Sequence, residues 1–380
     1  MKKILLAVAL LLPLLSNAQH KSTKTPKTYD LIIGTYTNGT SKGIYVYRFY
    51  VDNGRLAYLN QVDDVSNPSY LTVSDNHKFV YAVNEDPKVI GGVSSFTFDA
   101  ASGKLTPINR QSSEGTDPCY ISVDKALKHA FVANYSGGSL TVLPINKDGS
   151  LGKPVQNIAD EGHGVNPDRQ EKPHVHTAVL SPDEKYLLYT DLGTDKLNIC
   201  RYHPSEAQPL QKINEDAVSV KGGDGPRHLD FSPDHKYLYL VTELGAKIYE
   251  YQYKGGKLKE VQSVTMIPDG FTGTVGAADI HVSADGRFLY ASNRGDANEL
   301  VAYSINPENG NLTFLQRIST EGRTPRNFVI DPSGKFLLVA NQNSDSVIVY
   351  RIDQATGKLM PTGARLQIGN PVCLKFAPAE

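Results

Sequence analysis

GPRHLDFSPDHKYLYLVTEL, residues 225–244, reads as a strand, a tight turn and a second strand, and the chain says nearly the same thing five more times. In register with it stand NPSYLTVSDNHKFVYAVNE from Asn67, DPCYISVDKALKHAFVANY from Asp117, HVHTAVLSPDEKYLLYTDL from His174, GAADIHVSADGRFLYASNR from Gly276 and TPRNFVIDPSGKFLLVANQ from Thr324. The first strand of each alternates apolar residues, as in Leu229 and Phe231, Ile121 and Val123, or Phe328 and Ile330, which is strand patterning. Asp, Pro, Asn and Gly then supply a hairpin turn, as in Asp331-Pro332-Ser333-Gly334-Lys335. Recurrence at about fifty residues marks a radial or solenoid repeat.

A second hairpin follows each unit, usually with glycine at its turn: VSSFTFDAASGKLTPI, SLTVLPINKDGSLGKP, KIYEYQYKGGKLKEV, ELVAYSINPENGNLTFL and SVIVYRIDQATGKLMPT, with KLNICRYHPSEAQPLQ lacking the glycine. Each unit is therefore four short antiparallel strands, the composition of a propeller blade. A seventh outer hairpin, GIYVYRFYVDNGRLAYLNQV, stands near the N-terminus with only YDLIIGTYT before it, and the missing strand matches NPVCLKF from Asn370. The expected fold is all-β: a seven-bladed β-propeller of four-stranded antiparallel blades, closed by pairing of the N- and C-terminal strands, which hides both edges.

The chain has 380 residues. Lys2 and Lys3, an apolar run from Ile4 to Leu15, and Ser16-Asn17-Ala18 read as a cleavable secretory signal over residues 1–18, too short for a membrane span. Residues 19–28 read as a disordered leader and residues 29–380 as a single propeller domain, since blades packing only on their neighbours escape the size limit of one core. Export to the periplasm or medium is expected. Loss of Lys2 and Lys3 with the signal segment leaves 37 of 39 basic residues against 40 acidic ones, so no basic excess points to nucleic acid or an anionic membrane. Cys119, Cys200 and Cys373 share no spacing and read as buried thiols.

In a propeller, residues that open the innermost strand and residues just past its partner converge on one mouth of the shaft. The first column reads Ser69, Cys119, His176, Arg227, Ala278, Arg326; the second reads Glu85, Tyr135, Leu192, Glu243, Arg294, Gln342. His176, Arg227, Glu243 and Arg294 are the candidate catalytic residues, with Arg326, His174, Asn134 and Asp191 as candidate substrate contacts. Arg227 and Glu243 suit a structural ion pair within one blade as well as a site. Asn84, Asn134, Asn293 and Asn341 also suit bonds to their own turns, and His228, Asp230, Asp279 and His281 suit hydrogen bonds between blades.

There is no phosphate-binding glycine loop followed by a helix, no HExxH and no GxSxG. The mouth is poor in carboxylates relative to arginines, which argues against a calcium-dependent hydrolase, and no metal is expected. The segment VNPDRQEKPHVHTAVLSPDEKYLLYTDLGTDKL, with GPRHLDFSPDHKYLYLVTELG, AADIHVSADGRFLYASNRG and TPRNFVIDPSGKFLLVANQNSDSV, resembles the seven-bladed lactonase family, which includes the propeller-type 6-phosphogluconolactonase and is related to fungal carboxymuconate cyclase. The resemblance runs the whole mature chain. It implies a site at the shaft mouth in which His176 matches the histidine of a PHxHS-like segment, Arg227 the arginine of GPRH, Glu243 the glutamate of TEL and Arg294 the arginine of SNRG. Thr177 departs from the usual serine, and the signal sequence departs from a cytoplasmic sugar-phosphate enzyme.

The implied activity is hydrolysis of a sugar lactone without cofactor. His176 would take a proton from water, Arg227 and Arg294 would hold an anion or oxyanion, and Glu243 would orient an arginine or protonate the leaving oxygen. A muconate-type cycloisomerase and a non-catalytic extracellular propeller gripping an anionic glycan or peptide are the alternatives. The expected partner is a small-molecule lactone, and a monomer or weak homodimer is expected.

Overall fold

The computed structural model describes residues 27–86 and 89–379. Seven separate antiparallel sheets follow one another along the chain, six with four strands and one with five. The innermost strands of blades 1 to 6 are Leu71–Val73, Pro118–Val123, Val175–Leu180, Pro226–Phe231, Ala277–Val282 and Pro325–Ile330. Their partners are Phe79–Asn84, His129–Asn134, Tyr186–Asp191, Tyr237–Thr242, Phe288–Asn293 and Phe336–Asn341, each followed by an outer hairpin. The unit without the glycine forms only the short strand Leu210–Lys212, and Val218–Ser219 also pairs its third strand. Blade 7 is composite: Pro371–Pro378 is its innermost strand and pairs with Thr28–Thr35, from Thr35 opposite Pro371 to Tyr29 opposite Pro378. Thr28, assigned by sequence to the leader, opens this strand opposite Tyr50. The expected signal sequence, residues 1–18, and the expected leader through Pro26 lie outside the described residues.

Second strands such as Phe131-Val132-Ala133 and Leu338-Val339-Ala340 are buried on both faces, because each lies between its own sheet partners and two neighbouring blades. The expected contacts between blades are present. His228 Nδ1 meets Asp279 Oδ1 at 2.8 Å, Val282 N donates to Asp230 Oδ2 at 2.8 Å, and Phe328 N donates to Asp279 Oδ2 at 3.2 Å. The same device continues across the closure, where Leu374 N donates to Asn327 Oδ1 at 2.7 Å. Inner strands are thus tied round the axis by side chains as well as by apolar packing, which fixes the height of each strand in the shaft. Cys119, Cys200 and Cys373 are buried free thiols.

Candidate active site

A register break at the mouth positions the first column. Pairing skips Cys119 between Pro118 and Tyr120, His176 between Val175 and Thr177, and Arg326 between Pro325 and Asn327, with similar breaks at Arg227 and Ala278. Such a bulge frees one residue from strict alternation and re-aims its side chain. Two places earlier Asn67, Asp117, Gly225 and Thr324 carry positive φ, so the chain turns sharply into the strand. The repeat therefore delivers Arg227 and Arg326 to the mouth from blades 4 and 6 by the same backbone device.

Glu243 is the electrostatic hub. Arg227 Nε lies 3.0 Å and Arg294 NH2 2.7 Å from its Oε2, and Arg169 NH2 lies 2.6 Å from its Oε1. Burial alone would raise the Glu243 pKa, but Arg294, Arg227 and Arg169 together hold it far below the usual carboxylate range. Arg227 is 1% exposed, also donates from NH1 to the Ala278 carbonyl, and has its pKa lowered to about 10 by burial and by Arg294 and Arg326. Arg294 Nε donates to Gly276 O at 2.8 Å. Both arginines are thus fixed in direction.

His176 is 3% exposed, with its ring edge-on to Tyr135 and to His228 at centroid distances of 5.6 and 5.2 Å. Its Nδ1 lies 3.8 Å from Cys119 Sγ. Burial, then Arg227, His228 and Arg326, push its pKa well below 6.5, so the ring is neutral.

Arg326 is different. Its guanidinium lies over the Tyr36 ring at 5.5 Å and has no hydrogen-bond or carboxylate partner among the described residues. Tyr36 OH donates to Glu85 Oε1 at 2.9 Å, and Ser69 Oγ donates to Glu85 Oε2. The mouth therefore holds one carboxylate locked by three cations and one held by two hydroxyls.

The remaining candidates are engaged in structure. Asp191, fully buried, accepts from the backbone of His174, Gly193 and Thr194 and from Thr194 Oγ1. Asn134, also fully buried, donates to Ser113 O, Ser139 Oγ and Thr141 Oγ1. His174 stacks on Tyr135 at 4.5 Å and meets Tyr135 O and Glu171 through its ring nitrogens. His174 and Asp191 brace the loop ahead of His176 and Asn134 braces its own blade, and the three leave no free polar group for a ligand, save the unpaired Asn134 Oδ1.

Residues 30–376 match the family described as Lactonase, 7-bladed beta-propeller. The chain belongs to the seven-bladed lactonase family. Among this lactonase's relatives is the 6-phosphogluconolactonase of Bacillus subtilis (strain 168), 36% identical over 352 residues covering 90% of this chain and 97% of the relative. The 6-phosphogluconolactonase of Formosa agariphila is 35% identical over 91% of this chain and 99% of its own. Among solved structures, the periplasmic gluconolactonase of Pseudomonas aeruginosa superposes with a TM-score of 0.89 at 40% identity, over 93% of this chain and all of that one. As a lactonase the chain is a hydrolase.

Two residues of this lactonase's mouth escaped the sequence columns. Arg169 sits on the long connection before blade 3, outside the repeat, and no periodic signal marks it. Tyr36 was within reach, because it follows the second strand of blade 7 as Glu85 and Glu243 follow theirs. The columns stopped one blade short, at the unit split between the termini. Among the described residues no cluster of His, Cys, Asp and Glu could hold a metal ion, and no helix is long and apolar enough to cross a membrane.

Proposed function

We propose that this lactonase hydrolyses a sugar lactone of the gluconolactone type, in the manner of a 6-phosphogluconolactonase, at the shaft mouth. The observation that carries the reading is the division among the arginines. Glu243 engages Arg169, Arg227 and Arg294, whereas Arg326 keeps its donors open above Tyr36. A fixed planar cation with free N–H groups suits the oxyanion that forms when water adds to a lactone carbonyl.

His176, kept neutral by burial and neighbouring cations, takes the proton of that water. Glu243 cannot supply a proton while three guanidiniums hold it ionised, so its part is to fix Arg227 and Arg294 at the rim. The pattern of residues 1–18 and the periplasmic relative support export with cleavage before Gln19. An exported enzyme meets neutral aldonolactones, which favours gluconolactone over its phosphate ester.

Steady-state hydrolysis of gluconolactone and 6-phosphogluconolactone by the mature chain tests this. His176→Ala is expected to lower kcat by at least about a hundredfold, the low end for a lost general base. Arg326→Ala should raise KM and lower kcat together, with Arg326→Lys a partial rescue because a point charge lacks the planar fork. A wild type that binds aldonolactones without opening them defeats the reading; near-normal turnover by His176→Ala removes the base.

A further inference from the structure

Glu85 and Glu243 occupy the same place in blades 1 and 4, just past the second strand, yet their surroundings are opposite. Every side chain bonded to Glu243 is an arginine, which can only donate. Those bonded to Glu85 are the hydroxyls of Tyr36 and Ser69, which can accept as well as donate. A proton arriving on Glu85 therefore keeps both partners by rotation of two O–H bonds, whereas one arriving on Glu243 would leave buried cations facing a neutral acid.

We propose that Glu85 is the acid that protonates the leaving ring oxygen when the tetrahedral intermediate collapses. This rests on the lactonase reading above. Tyr36 links the parts: its ring carries Arg326 and its hydroxyl holds Glu85, so the oxyanion donor and the acid stand one side chain apart. Both Glu85 and Arg326 are half-buried, open enough for a ligand and dry enough for strong electrostatics.

The charged and titratable groups facing Glu85 are Arg326 from blade 6, Tyr36 from blade 7, Asp117 from the approach to blade 2 and Cys119 from its innermost strand. Burial raises the Glu85 pKa, Asp117 adds to the rise, and Arg326, Ser69 and Tyr36 oppose it without cancelling it. Two carboxyls of one site pushed in opposite directions is the pattern of divided roles. With His176 pushed down and Glu85 pushed up, a neutral base and a protonated acid coexist over part of the acidic range.

The step balances. Water oxygen bonds to the carbonyl carbon as His176 takes one water proton, and the oxyanion rests on Arg326. The carbonyl re-forms, the bond from the acyl carbon to the ring oxygen breaks, and the Glu85 proton passes to that oxygen as it becomes a hydroxyl. The proton on His176 returns to Glu85 through solvent, leaving lactone plus water converted to hydroxy acid.

The test is the pH profile of gluconolactone hydrolysis by wild type, Glu85→Gln and Tyr36→Phe, with folding checked by thermal melting. The wild-type kcat should fall on the alkaline side as Glu85 ionises. Glu85→Gln should lower kcat by about a hundredfold or more with KM nearly kept, and should lose that limb. Tyr36→Phe removes a donor that favours the carboxylate, so its limb should move to higher pH, and this outcome decides alone if the Gln variant does not fold. Glu85→Gln within about threefold of wild type, a limb persisting in that variant, or a limb unmoved by Tyr36→Phe overturns the proposal. A wild type that opens no aldonolactone is a different failure, that of the lactonase reading itself.

Discussion

Outside the mouth, a single carboxyl sets a pH dependence of the fold. Glu250, on the third strand of blade 4, is fully buried against Gly310 of the next blade, and neither of its oxygens has a partner among the described residues. A β-carbon at Gly310 would fall 2.5 Å from Glu250 Oε1, so the glycine is what leaves room for the carboxyl. Burial raises its pKa from 4.5 to about 7. A raised folded-state pKa means the folded chain binds the proton more tightly, so stability is full below pH 4.5 and is lost as pH rises toward 7. At about 1.4 kcal/mol per pKa unit the loss is about 3 kcal/mol. Glu250→Gln mimics the protonated acid. Urea unfolding should therefore show wild type losing ground to this variant by about 3 kcal/mol between pH 4.5 and pH 8, and a gap that does not change with pH would show that Glu250 is not protonated in the folded chain.

At the scale of the element, the inner turn of each blade solves one problem in two ways. Ser74, Ser181, Ser232 and Ser283 open four turns and bond the side chain two places on, namely Asn76, Asp183, Asp234 or Asp285. Asp124 and Asp331 open the other two and themselves accept main-chain N–H groups, from Lys128 and His129 and from Lys335 and Phe336. The fourth residue has positive φ in every case: His77, Leu127, Glu184, His235, Gly286 and Gly334. Only two are glycine, so four turns hold an L side chain in the left-handed region at about 1–2 kcal/mol each. His235 is exposed at φ 61°, and His235→Gly should stabilise by about 1 kcal/mol in chemical denaturation, since relief of strain outweighs the added freedom of the unfolded chain. No gain in midpoint would mean that the His235 side chain makes a compensating contact. Composition had marked these turns, but not that His and Glu would do glycine's work there. The bulges at His176, Arg227 and Arg326 were equally hidden, because a bulge is a relation between two strands and alternation along one strand does not record it. The columns still found these residues, since the break recurs at one place in blades 2 to 6. Arg169 was out of reach because it obeys no period, and which groups Asn134 and Asp191 bond is a matter of neighbouring turns that a column of the repeat does not record.

For the whole molecule, the closure is what the repeat made most legible and what the stability of the ring depends on. A one-dimensional stack of blades has two ends, whereas here the strand Pro371–Pro378 supplies the innermost position of a blade whose other three strands come from residues 28–63. That strand is joined on three sides. It pairs with Thr28–Thr35, Leu374 N donates to Asn327 of blade 6, and Leu71 N of blade 1 donates to Cys373 Sγ at 3.3 Å. Leu374 also packs in one apolar cluster with Phe49 and Phe336, joining blades 6 and 7. Deleting residues 370–380 should therefore remove a ladder, two ties between blades and part of that cluster at once, leaving unpaired strand edges open to association. Because each blade is held chiefly by its neighbours, the loss should spread through blades 6, 7 and 1 and abolish the single cooperative transition rather than lower it by a few degrees. Supplying residues 370–379 as a separate peptide should restore part of the transition in a concentration-dependent way, since the peptide binds the folded ring and not the unfolded chain. A truncated chain that melts as sharply and as high as the full one would mean that six blades and a three-stranded remnant suffice to close the ring.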